Sequence, residues 1–519
     1  MDFLADSERL EFSYAKARRQ LLSMRRPRGC WAGELSSSPL ATAAAISALV
    51  LAERHVDNDS RVSGSADDSW LTGVLLRNEL SELVGESLTW LASRQNPDGG
   101  WGDAEGGPSN PMATLLVESA FRLTGVPARY AGVLENAERY VQSLGGWNCA
   151  KRGRLRDKTM HAAVLSNCAL ADLIGWRKTP SVYPESLLLP LRWRRRFIEA
   201  GACWADAARA VIGQARLTHL PPKNPLTRIV RRWACSRSLR LVEQLQGKRG
   251  GFLESPPVTS FLVMNLASVG LFDHAIVRRG IEYLLATVRR DASWSIGARP
   301  SVLQTSQAAT ALNWEFDDAN DSQFGRPTAP HPNAEATLKW LLARQRTEVD
   351  PVTQAAAGGW ARHAHSTGLS AADATAASLI ALAAWRRRWP EAFRDEVRRA
   401  GMRGCDWLLQ LQNGDGGWAT FSRGAGRVPA SLSAVDVTAL ALRALNAWRR
   451  QLQVAQLNPR LEQKLGLAMQ RGSEFLKKSQ ASDGSWEPAW AVDAFAADSP
   501  NQTWGTCQAM LALEEIGSP

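Results

Sequence analysis

No two cysteines in the chain are spaced C-x-x-C. The seven present, at positions 30, 149, 168, 203, 235, 405 and 507, are odd in number and scattered. That excludes a disulfide-stapled framework and a zinc ribbon, and it fits a reduced, cytoplasmic setting. Long apolar runs are missing too. The longest, Leu40 to Ala52 (LATAAAISALVLA), is rich in Ala and Ser and well short of the ~20 residues that cross a bilayer. The opening MDFLADSERLEF carries acids where a secretory signal carries basic residues and an apolar stretch, so no signal peptide is expected. Strand-like alternation is absent as well; apolar residues recur at helical spacing. Tyrosine is scarce, 5 against 21 Trp in 519 residues.

What is present is an ordinary globular composition, 45% hydrophobic and 22% charged, enough for two to four domains' worth of core. The net charge of +11 suits an anionic partner or a solvated surface. No nucleic-acid-binding signature accompanies it. The tryptophans explain themselves once internal repeats are sought. Gln95-Asn-Pro-Asp-Gly-Gly-Trp101 returns as Gln412-Asn-Gly-Asp-Gly-Gly-Trp418 and as Gln480-Ala-Ser-Asp-Gly-Ser-Trp486. Weaker copies end at Trp31, Trp147, Phe252, Trp294 and Trp360. Each unit reads as a helix, a Gly-rich turn carrying the Trp, and a second helix rich in small residues. Asn/Asp-Gly supplies the left-handed backbone that ends a helix and reverses the chain.

These elements resemble the QW repeats of squalene–hopene cyclases and related class II terpene cyclases, and the resemblance spans most of the chain. Gly29-Cys-Trp-Ala-Gly-Glu-Leu35 is similar to the family's opening G-Y-W-x-G-E-L, and Gln95–Trp101 followed by Gly106-Gly-Pro108 to its QNPDGGW…GGP segment. The resemblance implies an all-α fold, a double α/α-barrel of β and γ domains. It places an N-terminal segment over 1–60 against the β barrel, the γ barrel over 61–299, and a shortened β barrel over 300–519.

The family's chemistry protonates an alkene with a neutral carboxylic acid held in a dry pocket and cradles the resulting cation on aromatic faces. Its D-x-D-D-T-A motif aligns without a gap on Ala371-Ala372-Asp373-Ala374-Thr375-Ala376. Asp373 falls on the donating Asp, whereas the flanking Asp residues are replaced by Ala371 and Ala374. The upstream aromatic pair is replaced by Arg362 and Ala364. Asp436-Val-Thr-Ala439 matches the family's D-V-T-A, whose Asp assists the donor. Trp490, four residues after Trp486, matches an aromatic that lines the family's cavity, and Trp360 is the second expected substrate-binding aromatic. A plainer reading stays open: Asp373 and Asp436 sit where acids cap helices and complement the macrodipole.

Other patterns carry less. Asp317-Asp318-Ala-Asn-Asp321 spells D-D-x-x-D but runs into loop-like sequence, and coincidence is the expected explanation. His363 and His365 are wrongly spaced for one helical face, and no Asp-x-Cys pair of a zinc prenyltransferase occurs. No metal or cofactor is therefore expected. Two basic-aromatic stretches, Leu191–Phe197 and Arg228–Trp233, suit a membrane headgroup interface or a solvated helix face. The expectation is a proton-initiated cyclase of a polyprenyl lipid, cytoplasmic or peripheral on the membrane through a monotopic contact, with a homodimer as the oligomer considered. Two alternatives are kept: a diterpene cyclase acting on geranylgeranyl diphosphate, and a non-catalytic barrel that binds a lipid or a partner.

Overall fold

The computed structural model describes residues 2–63, 77–125, 128–146, 158–180, 203–297, 301–313, 334–349, 356–363, 369–385, 393–421, 432–454, 458–488 and 502–517. These residues contain helices and no strand; the only β-type pairings are isolated bridges, such as Ser37 with Ser295. The helices are α1 (Asp2–Ser23), α2 (Pro39–Ser63), α3 (Arg77–Ser93), α4 (Pro111–Leu123), α5 (Ala131–Ser143), α6 (Lys158–Leu170), α7 (Cys203–His219), α8 (Pro225–Leu245) and α9 (Pro256–Ala267). They continue with α10 (Ala275–Thr287), α11 (Ser301–Asn313), α12 (Ala334–Leu342), α13 (Ala372–Ala384), α14 (Arg394–Leu411), α15 (Val435–Val454), α16 (Pro459–Lys478) and α17 (Gln502–Glu515).

Two α/α-barrels follow from how these helices pack. In the first, α2, α4, α6, α7 and α9 form an inner ring, which closes where α9 packs on α2. Helices α3, α5, α8 and α10 lie outside it. Small residues make the ring possible: Ala41, Ala43, Ala44, Ala45, Ala48 and Ala52 of α2 are all fully buried, so backbones approach closely. In the second barrel α11, α13, α15 and α17 pack in succession, with α12, α14 and α16 outside. Among the described residues this inner row is an arc, and its packed pairs do not return from α17 to α11.

The N-terminal 60 residues meet both cores. Cys30 belongs to the second core, and Trp31 packs with Ala308 and Leu312 of α11. Helix α2, by contrast, is a wall of the first ring, because its small-residue face fits α4 and α9. The segment between is a strap joined to both sides. Trp31 N–H donates to Thr305 Oγ1 (2.9 Å), Ser38 N–H to the Trp294 carbonyl (2.8 Å), and Arg289 to the Leu35 carbonyl (2.8 Å).

Each repeat turn is built alike. The Gln amide bridges the turn to the next outer helix: Gln95 Nε2 donates to Gly99 and Val133 carbonyls, Gln246 to Gly250 and Ile276, Gln345 to Gly358 and Ala400, and Gln412 to Gly416 and Ala468. The Trp indole donates back to the preceding outer helix, as from Trp101 to Leu91 and from Trp418 to Leu408 (both 2.8 Å). Gly416 shows why glycine is required. Its φ is +94°, and a Cβ there would collide with the Arg471 carbonyl. Gly416→Ala should cost at least ~1–2 kcal/mol from the left-handed backbone alone, read as a lower urea midpoint. An unchanged midpoint would mean the turn does not hold this geometry.

Candidate active site

The first turn of α13 is fixed by the two repeat turns beside it. Ala371 N–H donates to the Trp360 carbonyl (2.8 Å) and Ala372 N–H to the Thr420 carbonyl (2.7 Å). Trp360 N–H donates to Thr375 Oγ1 (2.9 Å), which ties the helix start to its own turn. No side chain caps the helix, since Ala371 is the cap residue. Asp373, next but one, is 7% exposed. Its Oδ1 accepts from the Ala374 N–H (2.7 Å).

Oδ2 of Asp373 accepts from both Nε (2.8 Å) and Nη2 (2.7 Å) of Arg362. This is the residue that stands where the family has an aromatic ring. The guanidinium also lies over the Phe421 ring, 5.2 Å from its centroid, a cation–π contact. The Arg362 carbonyl accepts from Val302 N–H of α11 (3.1 Å), so the clamp is anchored to the neighbouring inner helix. Charge-assisted bonds of this kind use the carboxylate as acceptor and are roughly twice as strong as neutral ones.

Asp436 lies one inner helix along, in the first turn of α15, half-buried and two residues ahead of Thr438 just as Asp373 is two ahead of Thr375. Thr438 Oγ1 accepts from Trp418 N–H (2.9 Å), which repeats the latch at Thr375. The structure therefore sets both acids in the same register at the heads of adjacent inner helices. Trp360 goes elsewhere. Its ring is fully buried in the wall of the second barrel, against Gly404 and Leu379, and its indole N–H donates to the Leu341 carbonyl (2.8 Å). The ring holds inner to outer helix. Trp490, His365, Asp317, Asp318 and Asp321, and the Leu191–Phe197 stretch lie outside the described residues. His363 is half-buried beside Arg362.

Two features escape the sequence reading. The first is the threonine latch, which recurs at Thr42, Thr114, Thr259, Thr305 and Thr506 as well. Its distance from the Trp varies with the loop between them, so no fixed spacing announces it. The second is Gln345, the amide of the Trp360 turn. Its partners are those of any other repeat Gln, but an insertion separates it from its Trp. The first barrel also holds a buried carboxyl, Glu254, two residues after Phe252 and 4% exposed. Burial raises it above the usual carboxylate range, with Arg249 opposing. Burial likewise pushes up the nearby Tyr283 phenol.

Comparison with known proteins fits this geometry. The squalene–hopene cyclase C-terminal domain matches residues 319–519, which carry Asp373 and Asp436, and the N-terminal domain of the same family matches residues 59–226. The chain belongs to the squalene–hopene cyclase family of class II terpene cyclases. Among its relatives, a probable squalene–hopene cyclase of Sinorhizobium fredii is 23% identical over 99% of this chain and 79% of that protein. The squalene–hopene cyclase of Alicyclobacillus acidocaldarius is 25% identical over 82% and 70%. The drimenyl diphosphate synthase of Streptomyces showdoensis is 33% identical over 27% of this chain and 32% of its own length. Solved structures similar to the chain include abietadiene synthase from Abies grandis (TM-score 0.44, 13% identity, 98% of this chain) and ent-copalyl diphosphate synthase from Arabidopsis thaliana (0.44, 12%, 96%). The chain spans 59% and 63% of the length of those two proteins.

Proposed function

We propose that this class II cyclase protonates a terminal alkene of a polyprenyl lipid with Asp373. The observation that carries the reading is a buried carboxyl at the head of an inner helix, gapless on the donor position of the family motif. In the step, the alkene π electrons take the proton from the Asp373 carboxyl. A C–H bond forms, the O–H bond breaks, and a carboxylate and a tertiary cation remain. Further alkenes of the chain attack the cation in turn, and loss of a proton or capture of water ends the sequence. Asp436 assists from the neighbouring helix. No metal or redox cofactor enters this step. A monotopic membrane contact, a cytoplasmic location and a homodimer complete the proposal. Among the described residues no helix is long and apolar enough to cross a membrane.

The test is incubation of the purified chain in detergent with squalene, and separately with geranylgeranyl diphosphate, with extracts read by GC–MS. A cyclic product from one of them supports the reading and names the substrate class. Folded protein that converts neither favours the second reading, a non-catalytic lipid-binding barrel. The Arg362 clamp is the observation on that side, because it occupies the carboxyl oxygen that must face the alkene.

That clamp yields its own prediction. Opening a charge-assisted pair costs ~1.5–3 kcal/mol. The Asp373 oxygen must leave that pair to meet the alkene, and a guanidinium also repels the developing carbocation. Arg362→Phe should therefore raise product formation roughly 10–150-fold, the rate equivalent of that energy. A loss of activity in a folded Arg362→Phe would instead make Arg362 part of the working acid.

A further inference from the structure

The Phe252 turn has lost the carboxylate that comparable turns carry and has taken up another. Asp98 and Asp415 stand directly ahead of Gly-Gly in their turns. Each accepts from a glycine N–H of its own turn and from a serine just ahead of the next inner helix, Ser109 or Ser433. In the Phe252 turn that place belongs to Arg249. The carboxyl over this turn comes instead from Glu254, further along the chain: a Cβ on Gly247 would lie 3.3 Å from its Oε1.

Bringing Glu254 inward takes an unusual backbone. Phe252 to Ser255 is a tight turn, closed by Ser255 N–H on the Phe252 carbonyl (3.0 Å). Its two central residues, Leu253 and Glu254, have φ of +53° and +52°. Such turns are normally filled by Gly, Asn or Asp. No other two consecutive non-glycine residues among those described share that conformation. Strain of this kind clusters at clamps and switch regions. What it secures is a carboxyl that accepts no hydrogen bond among the described residues. Beside it the Tyr283 hydroxyl of α10 is buried and has no partner either.

The charges around this carboxyl are few. Arg249 acts on it from the turn, and Tyr283 faces it from α10. Glu243 of α8 is paired with Arg279 of α10 (3.5 Å) and Glu34 of the strap with Arg289 (3.6 Å), all four being at least 30% exposed. Lys248 and Glu282 are exposed, and α9 carries no charge. Burial is the larger influence and holds the Glu254 proton above the usual carboxylate range, with Arg249 opposing. The turn is also part of the seam between the barrels. Ser255 Oγ donates to the Ile296 carbonyl (2.8 Å), and Gly297 lies against the Glu254 carbonyl and Leu35 of the strap.

We propose that Glu254 is a proton-operated clasp on the seam between the two barrels. Protonated, its carboxyl stays inside the Phe252 turn and holds Leu253 and Glu254 in their left-handed form. Ionised, it gives its proton to solvent and moves out to water and Arg249; the two residues relax, and the Ser255–Ile296 bond opens. The clasp is firmest at acid pH, where the carboxyl is neutral in the closed and the open turn alike. As pH rises, the open turn ionises first, and the closed form loses ground by up to about tenfold per pH unit.

The test is hydrogen–deuterium exchange of the full chain, read by mass spectrometry between about pH 5 and pH 9 and corrected for the intrinsic pH dependence of exchange. Peptides covering 250–256 and 292–297 should lose protection by up to about tenfold per pH unit above the midpoint of the carboxyl. Glu254→Gln, a neutral copy of the protonated side chain, should hold these peptides at the acid-side level throughout. Tyr283→Phe should keep the pH dependence of the parent, because the phenol is not the group that titrates. No turnover is involved, so the result is independent of whether the chain cyclises a lipid. Three results would overturn the proposal: flat protection in the parent, the same fall in Glu254→Gln, or its disappearance in Tyr283→Phe. The first needs no variant and stands whether or not the substitutions fold.

Discussion

Asp373→Asn should remove cyclic product altogether. A carboxamide nearly copies the shape of the carboxyl but has no acidic proton to give, and loss of a general acid costs on the order of 10²–10⁴ in rate. The fold should survive. The Asn oxygen can still accept from Arg362 Nε and Nη2, and the bonds that fix the helix start, from Ala371, Ala372 and Trp360, involve backbone and Thr375 rather than Asp373. Circular dichroism and melting temperature should therefore stay near the parent while GC–MS shows no product. Asp436→Asn, at the next helix head, should fall by a smaller factor, because in the proposed step Asp436 supports the acid and does not itself meet the alkene. If Asp373→Asn turned over at the parental rate, Asp373 would be a helix-terminus residue and the acid would lie elsewhere.

The largest structural effect is expected at Trp418. Its ring is fully buried in the second core, Gly472 faces it with no side chain of its own, and its two N–H groups donate to Leu408 and to Thr438. Trp418→Ala removes the ring that joins α14, α15 and α16 at one turn. Such truncations cost ~3–5 kcal/mol, a large share of the ~5–15 kcal/mol that holds a domain. Calorimetry should show an early transition, and limited proteolysis should cut α13–α17 first. Trp418→Phe should recover most of this, leaving a deficit of ~1 kcal/mol for the lost indole hydrogen bond. The chain already tolerates that exchange in one repeat, where Phe252 N–H keeps the latch to Thr259. A Trp418→Ala protein melting with the parent would show that the repeat Trp is not what fastens the hairpins.

The repeats make much of this fold legible without coordinates. A Gln, a left-handed Gly and a Trp within seven residues specify a hairpin locally, because their bonds close on the same turn and on the helices that enter and leave it. The same local logic placed Asp373 and Asp436 at the heads of inner helices. It did not distinguish Trp360 as a packing ring from Trp360 as a substrate-facing one, since the pattern around it is that of every other repeat Trp. Only its position against Gly404 and Leu379, residues distant in sequence, decides that.

The sequence by itself determined the all-α class, the helical-hairpin unit, the family, and the placing of Asp373 and Asp436 in the first turns of inner helices. These depend on contacts within a turn or between consecutive helices. Tertiary structure decided what depends on the ends of the chain meeting. The ring of the first barrel closes through α2 (Pro39–Ser63) and α9 (Pro256–Ala267), which are far apart along the chain. The partnership of Arg362 with Asp373 was also decided there. In sequence Arg362 is a lost aromatic. In space Arg362, two residues after Trp360, lies beside Asp373 in the first turn of α13, and a guanidinium placed beside a buried carboxyl pairs with it because neither charge has water enough of its own.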